Sequence, residues 1–242
     1  NEGHLPRRST LCRSSDTYSD SALHLPVDRN VVTSKTIRIK KMISLRNLQI
    51  WNGHQSVAEN SIDIQGRFLS NIGIDLPVTQ DSIDCSGLTA IPGLIDAHVH
   101  LELNPDDHKS PDKPHRNLPS LMEERAKKMV LAGITTARDL GGGTWQEFSL
   151  RDSINTGLKS GPRLLCSGQP ITCPGGHCHF WGGEASNINE AKQVLKRQVE
   201  RNADLIKIMA TGGRLTKGSS PTNPQFSLEL ISEIVHIAHA EL

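Results

Sequence analysis

The chain has 242 residues, a formal net charge of +1 and 36% hydrophobic residues, enough for one ordinary domain or for part of a larger one. Near-neutral charge leaves no electrostatic footprint for nucleic acid or an anionic membrane, and 3% aromatic residues cannot build a base-stacking platform. No apolar run approaches the ~20 residues a membrane helix needs, and five irregularly spaced cysteines point to a reduced, cytoplasmic protein rather than a disulfide scaffold.

Residues 1–41 are rich in Ser, Arg and Asp and show little apolar periodicity before Val31. They lack the apolar core of a secretory signal, and Glu2, Asp16, Asp20 and Asp28 argue against a transit peptide. The character changes at Met42, so Met42 is the expected natural start and 1–41 a disordered or artefactual extension. Strand-like runs follow at Ile43–Trp51, Ile62–Ile64, Phe68–Ile74 and Ser82–Cys85, broken by Asn52-Gly53, Gly66 and Pro77. They read as a small all-β unit over residues 42–88.

From Leu88 strands and helices alternate. Strands are expected at Leu94–His98, Ile134–Ala137, Arg163–Ser167 and Leu205–Met209. Helices are expected at Leu118–Ala132, Trp145–Leu158 and Glu190–Ala203, with Gly133 and Gly157 or Gly161 as stops. A last amphipathic helix, Phe226–Leu242, carries Leu228, Ile231, Ile234, Val235 and Ala238 at helical spacing. Four successive β/α units make a parallel sheet with helices packed outside, as an open sheet or a barrel.

The strongest chemical signal is Pro92-Gly93-Leu94-Ile95-Asp96-Ala97-His98-Val99-His100. Alternate side chains of a strand share a face, so Asp96, His98 and His100 point the same way near its C-terminal end. Two imidazoles so placed can bind one metal ion; the plainer reading is a pair of hydrogen-bonded histidines. Lys207 lies among Leu205, Ile206, Ile208 and Met209. A charged lysine there must be paired, snorkel to the strand end or be chemically altered. The loop Cys173-Pro-Gly-Gly-His177-Cys178-His179 could be a small zinc site, but adjacent residues do not easily share one tetrahedron. Asp139, before Gly141-Gly142-Gly143, fits a supporting role as well as a catalytic one. Cys12, Cys85 and Cys166 carry no motif and read as buried thiols. His236 and His239 read as exposed on the outer helix.

The stretch Leu88 to Leu101 resembles the first barrel strand of the amidohydrolase superfamily. Ala132–Gly141, Gly161–Gly168 and Ala203–Gly213 resemble its second, third and fourth strands. The run is most similar to the imidazolonepropionase-like and Xaa-Pro dipeptidase-like members, over about residues 42–242. The resemblance implies an α/β fold: the first half of a TIM-type (β/α)8 barrel over 89–242, incomplete, after a partial β-sandwich at 42–88. It implies two divalent ions, zinc by expectation, with His98 and His100 on one and Lys207, as a carbamate, bridging both. It places His177 and His179 at the active-site mouth as substrate contacts. The implied reaction is hydrolysis of a carbon–nitrogen bond in a small amide, cyclic amide or dipeptide by metal-activated hydroxide. A homo-oligomer is compatible with this; nucleic-acid and membrane partners are not expected.

The sequence departs from the family where full members take two further histidines and an aspartate from strands five, six and eight. None of those strands is in this chain. Two expectations follow: an incomplete record of a functional hydrolase, or a non-catalytic half-barrel that binds metal weakly or associates with another subunit.

Overall fold

A computed structural model describes residues 42–104 and 117–242. The expected extension at 1–41 and Cys12 lie outside the described residues. Two small sheets form from residues 42–90. The first has β1 (Met42–Arg46), β4 (Ser61–Gln65), β5 (Phe68–Gly73) and β6 (Ser82–Asp84) in the order β5-β4-β1-β6. The second joins β2 (Gln49–Trp51), β3 (Ser56–Val57) and β7 (Thr89–Ala90) in the order β3-β2-β7. Leu48, Ile50, Ile62 and Cys85 form their common core. The expected strand Ile43–Trp51 is therefore two strands. Asn47, at φ 58, reverses the backbone between them, a conformation asparagine tolerates better than most residues. β3 and β7, two residues each, are too short to show periodicity. Arg46 and Asp63 pair at 2.8 Å in the interior of the unit, and Arg46 also donates to the Pro77 carbonyl. Each charge thus offsets the other where the chain buries them.

The second part begins with β8 (Leu94–Val99), β9 (Ile134–Asp139) and β10 (Arg163–Cys166), a parallel sheet in the order β10-β9-β8. Helix α1 (Leu118–Leu131) has a proline in its first turn and stops at Gly133, φ 86. Its exposed face carries Glu123–Lys127 and Glu124–Lys128 pairs. Helix α2 (Gln146–Asn155) is shorter than expected and ends ahead of Gly157, φ 78. Both helices pack Leu118, Met122, Ala126, Phe148 and Leu150 onto Ala137, Leu164 and Cys166 of the sheet. Helix α3 (Ile188–Val199) starts two residues before the expected Glu190, because the Asn187 side chain accepts the Asn189 and Glu190 N–H groups. Helix α4 (Leu228–Glu241) packs with α3 around Ile171, Val194 and Ile234. His236 and His239 on it are exposed, and Cys85 and Cys166 are buried free thiols.

The fourth strand is the main correction. Leu205–Met209 forms no strand; it keeps only an isolated parallel bridge, Ile171 to Ile208. Hydrogen bonds Asp204 N to Cys166 O, Ile171 N to Lys207 O and Met209 N to Ile171 O hold it beside β10 and its continuation. The facing segment explains the loss: Gly168 sits at φ 70 and Pro170 has no N–H, so a continuous ladder cannot form.

Candidate metal centre

β8 carries His98, and His100 directly follows its last residue, so the two-residue spacing keeps both on one side. Their ring centroids are 5.3 Å apart, edge to face. The Asp96 carboxylate turns back to accept the His98 N–H at 3.1 Å, where the β8–β9 register shifts. His100 Nδ1 lies 2.8 Å from the Gly141 carbonyl oxygen. A carbonyl only accepts, so Nδ1 carries the proton and Nε2 keeps its lone pair. Trp181 covers the His100 ring at 5.1 Å.

Burial holds His100 down to about 4, opposed by the Gly141 carbonyl and reinforced by the positive potential of His98, Lys207 and His177. Burial also lowers His98, with Lys207 and Arg138 adding to it and Asp96 opposing. Both rings are therefore neutral near pH 7, the form that binds a metal. Lys207 is half-buried and forms no ion pair with any described residue. Burial lowers its pKa, Cys178 opposes and Arg138 reinforces.

The Gly-rich loop after β10 brings His177 to the same place. Gln225 accepts the His177 N–H at 2.6 Å and donates to Thr172 Oγ1 and the Met209 carbonyl. Thr216 Oγ1 accepts the Cys178 N–H at 2.9 Å. These bonds tie the loop to the segment that carries Lys207. Gly213 admits the His177 ring, since a β-carbon there would lie 2.3 Å from Nε2. Burial, then Lys207, lowers His177. His179 is different: its Nδ1 donates to the Gly176 carbonyl at 3.0 Å and its ring meets Phe180 edge to face. Among the described residues it shares no hydrogen bond or ring contact with His98, His100 or Lys207. Cys178 is buried, with Sγ 3.6 Å from His177 Nε2 and a thiol pushed up to about 12 by burial. Among the described residues the loop's Cys173, His177, Cys178 and His179 do not form a group that could hold a metal ion, which disfavours the small zinc site.

Among the described residues, no group of three or more His, Cys, Asp or Glu side chains could hold a metal ion. The neutral, pre-oriented imidazoles fit two ligand positions, and Lys207 lies close enough to bias both. Sequence reasoning missed Trp181, Gln225, Thr216 and Arg138. Arg138 lies within the second-strand motif, on β9, and donates to the Ala97 carbonyl. An arginine inside a strand was the available signal.

Residues 89–241 match the amidohydrolase family. The chain belongs to this family. The ochratoxinase of Aspergillus niger is 22% identical over 267 residues, spanning 96% of this chain and 54% of the relative. A crystal structure of a Xaa-Pro dipeptidase with bound methionine in the active site superposes with a TM-score of 0.71 at 29% identity, covering 83% of this chain and 54% of that one. A prolidase complexed with N-methylphosphonate-L-proline gives 0.68 at 27% identity, with the same coverage. The chain spans about half the length of these relatives. The amidohydrolase chain thus has a TIM-barrel-related α/β fold, and its family generally uses divalent metals. No described helix is long and apolar enough to cross a membrane.

Proposed function

We propose that this chain is the front half of a metal-dependent amidohydrolase that cleaves carbon–nitrogen bonds in small amides, cyclic amides or dipeptides. In this reading β8, β9, β10 and the 204–209 segment are the first four strand positions of a (β/α)8 barrel. The two sheets of residues 42–90 are part of a β-sandwich. The observation that carries it is the His98–His100 pair, with His100 fixed as the Nδ1–H tautomer.

His98 and His100 would hold one divalent ion, and Lys207 would bridge it to a second as a carbamate; zinc suits imidazole and carboxylate-type ligands. A bound divalent ion supplies the Lewis acidity that makes water nucleophilic near neutral pH and polarises the scissile carbonyl. Lys207 prepares its own role. Burial lowers its pKa and so raises the share of neutral amine, whose nitrogen would bond to the carbon of carbon dioxide and release one proton to solvent. His177 at the site's edge contacts substrate, and His179 on the same loop lines the mouth. The names of the relatives support an amide or dipeptide substrate.

The test is zinc reconstitution followed by hydrolysis of a panel of N-acyl amino acids and dipeptides. Metal content should fall in His98→Ala and His100→Ala together with turnover, and a carbamate carbon signal from labelled bicarbonate should vanish in Lys207→Ala. Undiminished zinc content in the double histidine variant would overturn the reading. One observation favours a second reading, a metal-binding half-barrel without turnover: no group of three ligand side chains exists among the described residues. Stoichiometric zinc without hydrolysis of any panel member would decide for it.

A further inference from the structure

Asp139, at the end of β9, is 1% exposed, yet both its carboxylate oxygens are in use. Oδ2 accepts the Leu101 N–H at 3.0 Å, and Oδ1 accepts the Gly141 N–H at 2.9 Å. Leu101 directly follows His100. Gly141 supplies the carbonyl that takes the His100 Nδ1 proton at 2.8 Å. The connections close a ring: the His100 backbone reaches the carboxylate through Leu101, and the imidazole of the same residue reaches it through Gly141. One carboxylate therefore sets both the backbone position and the ring rotation of His100.

The surroundings reinforce this. Arg125 of α1 donates to the Leu101 carbonyl at 2.5 Å, so both polar backbone groups of Leu101 are held by charged side chains. Leu140 N–H donates to the Val99 carbonyl at 2.9 Å, which keeps the two strand ends together. Gly141 adopts φ 118, and a β-carbon there would lie 2.4 Å from the Gly168 carbonyl oxygen. Only glycine can aim that carbonyl at His100. An amide in place of the carboxylate offers a single accepting oxygen, and its NH2 would face one of the two N–H donors.

We propose that Asp139 is a positioning residue that presents the Nε2 lone pair of His100 for metal coordination, an inference that rests on the metal-centre reading. The experiment is Asp139→Asn in the full chain, with zinc affinity measured by competition against a chromophoric chelator. Leu164→Ala, a core change at a 2% exposed site, serves as the stability-matched control. Long-range proton–nitrogen correlations of the metal-free proteins report the His100 tautomer. Asp139→Asn should weaken zinc binding roughly 10- to 100-fold, the range typical of groups that orient a metal ligand, and mix the tautomers. Leu164→Ala should lower thermal stability but leave zinc affinity and tautomer at the wild-type values. Wild-type zinc affinity and a pure Nδ1–H His100 in Asp139→Asn would overturn the proposal. If the wild-type chain takes up no zinc, the metal-centre reading fails and the tautomer shift alone decides the role of Asp139. If Asp139→Asn does not fold, wild-type protein suffices. Couplings across the hydrogen bonds from the Leu101 and Gly141 amides to the Asp139 carboxyl carbon are expected, and their absence would overturn the proposal.

Discussion

Glu147 shows how far burial can move a single group. It is 2% exposed, its Oε1 has no hydrogen-bond partner among the described residues, and burial followed by the charge of Asp139 pushes it up to about 8. Burial likewise pushes Asp139 up to about 7, against the two N–H groups it accepts. In the unfolded chain these groups titrate near their ordinary values of 4.5 and 3.8. Between those values and the raised ones the folded state binds more protons, so their contribution falls as pH rises from about 4 to about 8. Glu147→Gln should therefore stabilise the chain by about 1–3 kcal/mol at pH 8 and have little effect at pH 4. Urea unfolding at the two pH values measures it; an equal effect at both would refute the assignment. His100 acts in the opposite direction. Its pKa is lowered from 6.5 to about 4, so its share of stability is present above pH 6.5 and lost as pH falls toward 4. Gly141→Ala joins strain to displacement. The φ of 118 and the approach to the Gly168 oxygen should cost roughly 1–3 kcal/mol, visible as a lowered melting temperature. A melting temperature equal to wild type would show that the loop has room.

At the level of elements, α3 offers the cleanest local test. Asn187 accepts two first-turn N–H groups while the Glu190 carboxylate accepts from Ser186 N–H and Asn187 Nδ2. This is a reciprocal cap. Asn187→Ala should cost about 1 kcal/mol, read by chemical denaturation, whereas a loss near zero would mean the helix is held by its buried Ala191, Val194 and Leu195 alone. The Asn187–Glu190 spacing was present in the sequence, but apolar periodicity alone starts the helix at Glu190, since capping lies outside the apolar stripe. β9, β10 and all four helices were legible because each buries one face, which periodicity records; β8 was legible from its Pro92-Gly93 lead-in and apolar run, although it buries neither face. The fourth strand was not: Leu205–Met209 has strand composition, but its ladder depends on Gly168 and Pro170, thirty-odd residues earlier. The His98–His100 pair was legible because strand geometry fixes neighbours at i and i+2. The approach of Lys207 and His177 was not, because Gln225 and Thr216 create it through tertiary hydrogen bonds that no local pattern announces.

The whole molecule is uneven in how it covers its apolar surface. The helices bury one face of the β10-β9-β8 sheet, yet β8 ends the sheet order and carries Ile95 at 72% and Leu94 at 49% exposure, with Ile91 at 53% just before it. Edge strands of soluble domains are usually short, charged or covered, because a row of unpaired N–H and C=O groups beside apolar side chains templates pairing with another chain. β8 has six residues, among them neither lysine nor proline. The relatives are about twice as long, so their additional length is available to cover such an edge. The 242-residue chain by itself should therefore associate as its concentration rises. Ile95→Lys places a solvated charge on that edge, and the residue's exposure means that little packing is lost. Sedimentation velocity over a concentration series should show association in the wild type and a shift toward monomer in Ile95→Lys, with an unchanged melting temperature. Equal association by both proteins would place the contact elsewhere, on the outward Leu131 and Leu158 at 87% and 82% exposure. A charge at either of those positions would then be the change that restores the monomer.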